Sequence, residues 1–478
     1  MGYRDLREWM AAFEQLGELR TVRGADWNEE LGVIVDLYQR RMGLPALLFD
    51  EIKGYPPGYR VLANTLTSVR RIAVTLGLPP QTAPLELVQA WRRYARDYPT
   101  LPTRTVASGP VNEHVLTGSR VDLLKFPSPK WHEHDGGRYL GTGCLVIQKD
   151  PDSDWVNVGA YRVMVHDERT AGLYISPGKH GRQILDKYWA RGEACPVVVS
   201  AGHDPMLFLV AGLEIPYGVG ELEVAGGLKG EPVEVIRSEF TGLPVPATSE
   251  LVIEGEIPPG ELRDEGPFGE WLGYYAGGKR PAPVIRVRAI RHRDRPVILG
   301  NLPAIPPNDD TYYRGFLRAA AVWEQLEAAG VAGVKGVWCH ESGGGRMFLV
   351  VAIEQRYPGH ARQAGLIASQ CHAGAYANRY TVVVDDDIDP TNTDQVLWAM
   401  CSRVDPAVDI EIVQRCWSTS LDPMSYPRDN PVFNNRVVID ACRPWDRRDS
   451  FPKVVEASPQ RKREVIEKWR HLLPEIAD

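Results

Sequence analysis

Apolar residues near the start of the chain recur at intervals of three and four, which predicts an amphipathic helix over residues 5–19. Asp5 is a suitable N-terminal cap for this helix, and Gly17 ends the pattern. Strand and helix patterns alternate after it, with a strand over residues 47–49 and a helix over residues 85–94. This first region is therefore predicted to be α/β. The repeating apolar residues of the first helix are Leu6, Trp9, Met10, Phe13 and Leu16.

The pattern changes between about residues 115 and 300, where short strand-like runs are separated by turns rich in Gly, Pro and Asp. Such a pattern is typical of a β-barrel or a β-sandwich. A helix containing Ile184, Leu185 and Tyr188 interrupts it. The predicted strands cover residues 143–148, 162–166, 196–200, 233–237, 251–254, 284–289 and 297–299.

A third region begins with a strongly patterned helix over residues 312–329, which we expect to link two domains. Continuous apolar strands then alternate with helices, which predicts a second α/β unit whose buried strands pair in parallel. A charged helix over residues 457–475 follows, either as a docking arm in an oligomer or as a solvated surface helix. The alternating elements are strands 347–353 and 380–384 and helices 361–371 and 393–402.

Composition narrows the classes of function. The 478 residues are 44% hydrophobic and 24% charged, and the net charge of −7 argues against a nucleic-acid-binding surface, which needs clustered basic residues. No apolar stretch reaches the length of a membrane span, and no signal-peptide core follows Met1. Seven scattered cysteines without a Cys-x-x-Cys pair indicate reduced thiols. We therefore expect a cytoplasmic protein that binds neither nucleic acid nor membrane.

Several familiar catalytic motifs are absent from the sequence. Gly178-Lys179 is followed by His180 rather than the Ser or Thr of a phosphate-binding loop. The glycine run 343–345 lacks the spacing and the acidic follower of a dinucleotide fingerprint. Neither a Gly-x-Ser-x-Gly elbow nor a His-Glu-x-x-His zinc helix occurs. These absences disfavour the common phosphoryl-, hydride- and acyl-transfer functions.

Two acidic residues flank a loop that a helix could not form. Glu265 and Glu270 are separated by Gly-Pro-Phe-Gly, a sequence that favours a tight bend and could aim both carboxylates into one pocket. Two carboxylates that share a site do not both ionise easily, so one keeps its proton and can serve as a general acid. The alternative is a surface loop with two solvated acids.

Three further segments carry polar residues suited to binding. Asn157 and Arg162 flank the start of a strand; the first offers a hard oxygen for Mg²⁺ or Mn²⁺, and the second a planar fork for a carboxylate or phosphate. His180 lies in a glycine-flanked turn before a helix, where backbone N–H groups favour an anion. Glu221 begins another glycine-bounded segment. Each segment has an ordinary structural explanation when it is taken alone.

Together, in order and spacing, these segments resemble the UbiD family of decarboxylases, which use prenylated FMN. The resemblance covers nearly the whole chain. It is most specific in the Asn157-x-Gly-x-Tyr-Arg162 segment, the Glu221 block and the Glu265-Gly-Pro-Phe-Gly-Glu270 loop. It implies non-oxidative, reversible decarboxylation of an aromatic, heteroaromatic or α,β-unsaturated acid.

The resemblance also implies roles for particular residues. Arg162, Glu265 and Glu270 match the catalytic network of the family; Glu270 would donate a proton, Arg162 would orient the substrate carboxylate, and Glu265 would hold Arg162. Asn157, His180 and Glu221 would bind Mn²⁺, or Mg²⁺, beside the cofactor phosphate, with K⁺ close by. The residues expected to contact the cofactor are Asn157, Arg162, Lys179, His180, Glu221 and Arg379.

The family fold implies a division of the chain. We expect a mixed α/β protein that assembles as a homodimer or homohexamer and receives its cofactor from a UbiX-like flavin prenyltransferase. The expected parts are an N-terminal α/β domain (1–115), a split β-barrel that binds the flavin (116–308), a linking helix (309–330), a C-terminal α/β oligomerisation domain (331–455) and a C-terminal helix (456–478).

The substrate is expected to be a small-molecule aromatic or heteroaromatic acid. Trp271 directly follows Glu270 and would narrow the pocket around a flat ring, with Ala160 as a second pocket residue; Lys179 could meet a phenolic oxygen or a second carboxylate. Competing hypotheses are a flavin-dependent oxidoreductase, a flavin-binding protein without activity, and a metal-dependent hydrolase. The hydrolase would use a zinc site built from His132, His134, Asp135, Cys339 and His340.

Overall fold

The fold is described from a computed structural model of the chain, which covers residues 2–41, 43–430 and 432–473. Helix α1 (Leu6–Gln15) forms as the periodicity predicts, and the side chain of Asp5 caps it by accepting from the N–H of Glu8. Trp9 and Phe13 are fully buried with ring centroids 4.2 Å apart. Burial of each such side chain contributes on the order of 2 kcal/mol to the stability of the folded protein. Packing of its apolar face therefore holds this helix in place.

A four-stranded mixed sheet forms the N-terminal layer. Its order is β1 (Leu19–Arg23), β2 (Ala46–Asp50), β3 (Arg60–Ala63) and β17 (Val297–Leu299). The last strand pairs in parallel with β3, although it lies far beyond it in the chain. The sequence pattern predicted this strand as part of the central β-region, and that placement is wrong: the strand is fully buried and completes the N-terminal sheet.

The central layer is a ten-stranded curled sheet in which every strand pairing is antiparallel. It agrees with the expected β-barrel-like region. A small sheet of β4 (Arg104–Thr105), β12 (Glu234–Arg237) and β13 (Pro244–Pro246) lies apart from it. The ten strands are β5 (His114–Thr117), β6 (Arg138–Gly141), β7 (Leu145–Lys149), β8 (Val156–Gly159), β9 (Arg162–Asp167), β10 (Thr170–Tyr174), β11 (Cys195–Ser200), β14 (Leu251–Ile257), β15 (Leu262–Glu265) and β16 (Arg280–His292).

The C-terminal layer is a five-stranded sheet in the order β18 (Val334–Cys339), β19 (Phe348–Ile353), β20 (Tyr380–Asp385), β22 (Phe433–Ala441) and β21 (Ile410–Trp417). The predicted parallel pairing is confirmed for β19 with β20, and β20 also pairs in parallel with β22. The two edge strands, β18 and β21, are antiparallel to their neighbours. Continuous apolar runs fit these strands because helices cover the sheet.

Helix α8 (Asp309–Ala328) joins the central and C-terminal layers, as expected of the linking helix. It packs on α4 (Pro84–Arg96) and on β18, and most of its apolar face is buried. Arg92 of α4 forms ion pairs with Glu324 and Glu327 of α8. The linking helix is therefore anchored to both terminal regions.

The remaining helices surround these sheets. The predicted C-terminal helix over 457–475 is shorter in the structure, at Pro459–Trp469, and its last two predicted residues lie outside the described residues. No described helix has the length and apolar character to cross a bilayer. The mixed α/β fold class is confirmed, whereas the exact division at residues 115, 308, 330 and 455 stays a prediction. The other helices are α2 (Glu30–Gln39), α3 (Val69–Thr75), α5 (His180–Ala190), α6 (Pro205–Ala211), α7 (Glu221–Lys229), α9 (His360–Gln370), α10 (His372–Ala375), α11 (Thr393–Arg403) and α12 (Pro459–Trp469).

Candidate active site

Arg162, the first residue of β9, is held between two carboxylates. Its Nε and Nη2 donate to the two oxygens of Glu265 at 2.8 and 2.9 Å, and its Nη1 donates to Oε1 of Glu270 at 3.0 Å. Glu265 ends β15 and is fully buried, with a further bond of 3.0 Å from the Tyr139 hydroxyl. The structure thus brings the three predicted catalytic residues into one hydrogen-bonded group.

The sheet register places this group. Arg162 lies opposite Tyr174 on β10, and Glu265 lies opposite Arg280 on β16. The Tyr174 ring has a guanidinium carbon on each side, Arg162 at 4.4 Å and Arg280 at 4.8 Å. Burial alone lowers the pKa of Arg162, but its bonds to Glu265 raise that pKa above the ordinary value. Arg162 therefore stays cationic.

Glu270 is the more accessible carboxylate of the pair. Its side chain keeps 15% of its exposure, whereas that of Glu265 keeps 0%. Backbone bonds from Glu270 N–H to the Tyr274 carbonyl at 3.0 Å, and from Gly273 N–H to the Glu270 carbonyl at 2.8 Å, fix the loop around it. Burial raises the pKa of Glu270, and the charge of Arg162 only partly opposes this. Glu270 therefore holds its proton more strongly than an exposed glutamate does, and its side chain stays partly accessible.

A second polar group gathers where β8 meets the N-terminal ends of two helices. Asn157 lies in β8, His180 is the first residue of α5, and Glu221 is the first residue of α7. Oε2 of Glu221 accepts from the N–H of Val158 at 2.8 Å. The hydroxyl of Tyr161 accepts from the first-turn N–H of α5 at 3.2 Å. These bonds fasten α7 to β8, which carries Asn157, and α5 to the residues that directly follow β8.

The residues of this second group fit a cation and an anion together. Asn157 is 1% exposed, and its Nδ2 has no hydrogen-bond partner among the described residues. Burial raises the pKa of Glu221 to about 7. Burial and Lys179 lower the pKa of His180, which keeps its imidazole neutral, the form that binds metals. Asn, His and Glu are suitable ligands for a divalent cation, and two helix N-termini favour a phosphate.

The histidine of this group is held by aromatic neighbours. The His180 ring makes edge contacts with Trp155 at a centroid distance of 5.2 Å and with Tyr217 at 5.5 Å. The indole N–H of Trp155 donates to the Val219 carbonyl at 3.0 Å. The hydroxyl of Tyr217 bonds to the buried carboxylate of Asp150. Because both rings are anchored by hydrogen bonds, the orientation of the imidazole is fixed before any ligand binds.

Three other predicted residues lie next to these groups in the sequence, and their roles stay predictions. Lys179 is exposed on the turn before α5; its desolvation by surrounding protein, together with Arg314, lowers its pKa, and Glu214 opposes this. Ala160 is half-buried, and its N–H donates to the Ala211 carbonyl at 3.3 Å. Trp271 is half-buried directly after Glu270.

Arg379 is the predicted site residue that the structure does not bring to either group. Its guanidinium forms an ion pair with the buried carboxylate of Asp422 in the C-terminal layer. Within residues 2–41, 43–430 and 432–473, no hydrogen bond or ion pair joins Arg379 to Asn157, His180 or Glu221. Its predicted contact with a cofactor stays a prediction.

Sequence reasoning missed several residues that support Arg162. Tyr139 and Tyr174 lie in strands whose sequences suggested no catalytic or binding role. Their role could not be predicted because it depends on strand pairing. Phe268, whose ring lies 5.2 Å from the Arg162 guanidinium, was part of the recognised loop and could have been identified.

The histidines considered for a zinc hydrolase have structural roles. Nε2 of His132 lies 3.2 Å from the carbonyl oxygen of Pro303, and Nδ1 of His340 lies 3.1 Å from the Thr393 hydroxyl. Among the described residues, no three His, Cys, Asp or Glu side chains are grouped so that they could hold a metal ion. The hydrolase hypothesis therefore has no constellation of that kind to rest on.

Three domain models of one family match successive parts of the chain. They are described as the N-terminal, Rift-related and C-terminal domains of 3-octaprenyl-4-hydroxybenzoate carboxy-lyase, and they match residues 10–91, 104–306 and 311–441. The chain belongs to the UbiD family. The resemblance inferred from the sequence motifs is confirmed.

Similar proteins within the family act on aromatic acids. The chain is 31% identical to a phenolic acid decarboxylase from Escherichia coli O157:H7, over 97% of both proteins. It is 34% identical to a pyrrole-2-carboxylic acid decarboxylase from Pseudomonas aeruginosa, over 85% of this chain and 84% of that protein. The similarity to these UbiD relatives extends across most of the chain and is not confined to the sequence motifs.

A solved UbiD-class enzyme has the same overall structure. HmfF from Pelotomaculum thermopropionicum, in complex with FMN, matches with a TM-score of 0.86 and 30% identity over 96% of this chain and 98% of that one. An evolved dimeric form of HmfF in complex with prenylated FMN matches with a TM-score of 0.81, 30% identity and coverage of 96% and 97%.

Replacement of Glu265 by Gln tests the ion pair at the centre of the site. Loss of the carboxylate leaves the buried Arg162 charge only partly neutralised, which we expect to lower the free energy of unfolding by about 3 kcal/mol. Chemical denaturation measures the change. The matched control is Glu234→Gln, which removes the exposed pair with Arg104 at 2.7 Å and should cost less than about 1 kcal/mol. Equal losses in the two variants would contradict a special role for Glu265.

Proposed function

We propose that this UbiD-family chain is a carboxy-lyase that reversibly and non-oxidatively decarboxylates an aromatic or heteroaromatic acid with the help of prenylated FMN. An α,β-unsaturated acid has the same sp² carbon and is the alternative substrate class. The observation that carries the proposal is Arg162, bonded on one side to the buried Glu265 and on the other to the accessible Glu270. A fixed cation beside a protonated acid suits the removal of a carboxylate and its replacement by a proton.

Asn157, His180 and Glu221 are proposed to hold Mn²⁺ or Mg²⁺ at the phosphate end of the cofactor, with K⁺ nearby and Lys179 alongside. Their oxygen and nitrogen ligand atoms support the cation, while Asn157 Nδ2, a donor without a partner among the described residues, and the two helix N-termini support the phosphate. When bound, prenylated FMN supplies the electron sink that side chains lack for the carbanion left by CO2. Arg379 would contact the cofactor only after release from Asp422.

Arg162 is proposed to orient the substrate carboxylate. Two of its nitrogens are committed to Glu265, so the guanidinium cannot rotate, and only Nη1 faces the cleft beside Glu270. A planar, permanently charged fork of this kind aligns a carboxylate better than a flexible ammonium group does. Because Glu265 is fully buried, it acts on the substrate only through Arg162.

Glu270 is proposed to donate the proton. Its raised pKa keeps the carboxyl group protonated at a pH where an exposed glutamate is ionised. When the carbon–carboxylate bond breaks, CO2 leaves and the ring carbon keeps the electron pair. Glu270 then gives its proton to that carbon and recovers a proton from water.

The walls of the cleft are proposed to select a flat ring. Trp271 is half-buried and directly follows Glu270. Ala160, within the Asn157–Arg162 segment, has a small side chain that leaves room for the substrate. A ring stacked on an aromatic side chain gains dispersion energy and displaces water from the reacting carbon. These two residues would therefore set the size of the substrate.

We further propose a cytoplasmic homo-oligomer, a homodimer or homohexamer, supplied with cofactor by a UbiX-like flavin prenyltransferase. The C-terminal sheet offers a surface for self-association. Its edge strand β21 exposes Ile412 and Trp417, at 67% and 52%, and the neighbouring Phe433 is 39% exposed. An unpaired edge strand with exposed apolar residues is normally covered by a partner.

Replacement of Glu270 by Gln tests the proton donor. We expect turnover to fall by about a hundredfold to ten-thousandfold, the usual contribution of a general acid, because the amide has no acidic proton. CO2 release from an aromatic acid panel measures turnover, and flavin absorbance measures cofactor content, which should stay unchanged. Asp264→Asn, at an exposed ion pair between β15 and Lys279, is the control and should keep full activity. Full activity of E270Q would contradict the role.

The pH dependence of kcat provides a second test of the same residue. The acid must be protonated to act, and burial raises its pKa. We therefore expect kcat to be constant at low pH and to fall as the pH rises through a value above the ordinary range of a glutamic acid. A stopped-flow or steady-state pH series measures the profile. A rate that rises with pH over that range would contradict an acid role for Glu270.

Replacement of His180 by Ala tests the metal and cofactor site. We expect metal and flavin content to fall together by at least about tenfold, since loss of one ligand weakens a three-residue site strongly. Elemental analysis and flavin absorbance of the purified protein measure both. His134→Ala is the control, because His134 is exposed and belongs to the rejected zinc hypothesis. Full metal and flavin content in H180A would exclude the assignment.

A further inference from the structure

Arg346 is a cation without a counterion. It lies in the loop between β18 and β19 and is half-buried. Among residues 2–41, 43–430 and 432–473, no carboxylate lies within ion-pair distance of its guanidinium. Its Nη1 is buried and has no hydrogen-bond partner there. Such a charge is unfavourable unless a ligand neutralises it.

The guanidinium contacts Trp271, which is proposed to line the substrate pocket. Its central carbon is 5.7 Å from the centroid of the Trp271 ring and 5.2 Å from that of the Tyr376 ring. Trp271 directly follows Glu270 in the chain. Arg346 therefore contacts the residue that directly follows the proposed proton donor in the chain.

The glycine run before Arg346 explains how the loop reaches Trp271. A Cβ atom on Gly344 would lie 2.4 Å from Cζ3 of Trp271, and one on Gly345 would lie 2.5 Å from the Thr311 carbonyl oxygen. Both glycines also have positive φ angles, +68° and +64°. No other residue type fits at these two positions without strain. The glycine run, which no cofactor motif explains, brings Arg346 close to Trp271.

Three other guanidinium groups, on β9 and α8, already have partners. Arg162 is bonded to two carboxylates, and Arg314 is paired with Asp310 at 3.2 Å. Arg318 donates to the Ala373 carbonyl at 2.7 Å and to that of Tyr376 at 3.2 Å. Of these four arginines, Arg346 is the one whose Nη1 remains available for a hydrogen bond to a ligand.

We infer that Arg346 binds a second carboxylate on the substrate, so that the preferred substrate class is an aromatic diacid. One carboxylate would lie at Arg162 and Glu270 and be removed, while the other, across the ring, would pair with Arg346 and be retained. This inference rests on the proposed function. A carboxylate fits better than a hydroxyl because it neutralises the charge and matches the planar fork of the guanidinium.

The inference is tested by comparing monoacids with the matching diacids. Each benzene, furan or pyrrole monocarboxylate in the panel is compared with the dicarboxylate that has a second carboxylate on the opposite side of the ring. Binding is measured by calorimetry on the flavin-loaded E270Q enzyme, and kcat/KM is measured on the active holoenzyme. We expect the enzyme to prefer at least one diacid over its monoacid by about 10- to 100-fold, the usual effect of a charge-assisted pair.

Arg346→Gln should abolish this preference, mainly through KM and Kd, and leave the monoacids unchanged. Arg346→Lys should restore part of it, since the charge remains but the fork is lost. Arg362→Gln, at an exposed pair with Glu411 at 2.8 Å in the same layer, is the control and should change neither ligand class. Thermal unfolding separates folding from recognition: removal of an unpaired charge should not lower the melting temperature.

The possible outcomes distinguish the two proposals. If no diacid binds more tightly than its monoacid, or if R346Q weakens both alike, the inference is overturned even where turnover of monoacids upholds the decarboxylase function. Diacids that bind through Arg346 without release of CO2 from any acid would support the inference and overturn the proposed function alone.

Discussion

The buried pair of Arg162 and Glu265 is the interaction on which the site depends. A fully buried carboxylate and a largely buried guanidinium are stable together because each satisfies two hydrogen bonds of the other, and the Tyr139 hydroxyl supports the same carboxylate. The pair is assembled by two strand pairings, β9 with β10 and β15 with β16, which put both residues at one end of the central sheet. Once Arg162 is fixed, its Nη1 positions Glu270, while burial raises the pKa of Glu270 against the charge of Arg162.

The group formed by Asn157, His180 and Glu221 differs from the Arg162–Glu265 pair in how its charges are balanced. Asn157, His180 and Glu221 are assembled by one strand and two helix N-termini; Asn157 Nδ2 has no hydrogen-bond partner among the described residues, and burial raises the pKa of Glu221 to about 7. The central pair is neutralised within the protein, whereas this group lacks positive charge. An incomplete site of this kind is stable only because the surrounding sheet and helices hold it rigidly, so it is suited to receive a cation and a phosphate together.

Local sequence patterns predicted the elements well wherever one face is apolar. The periodicity and the Asp5 cap defined α1, and the continuous apolar runs indicated the parallel pairing of β19 and β20. The hydrophobic pattern alone could not assign β17 to a sheet, because a short buried strand has the same apolar sequence pattern in any sheet. Motif resemblance located Arg162 and Glu270 but not Tyr139, whose contribution depends on pairing between distant strands.

The glycine run before Arg346 and the partner of Arg379 show the same limit. A run of glycines signals a close approach in the sequence, but only the fold shows that the approached surface is Trp271. Arg379 lies where a basic residue was expected, yet the nearby Asp422 already neutralises it. Charge and spacing therefore identify candidate residues, while the counterions decide which of them remain available.

The path of β17 has a consequence for how the protein is made. The N-terminal sheet is completed by a strand that is synthesised only after the entire central layer. During translation, β3 therefore emerges with an open apolar edge, which must wait for the central layer to leave the ribosome before it can be closed. Completion of the N-terminal sheet therefore depends on synthesis of the central layer.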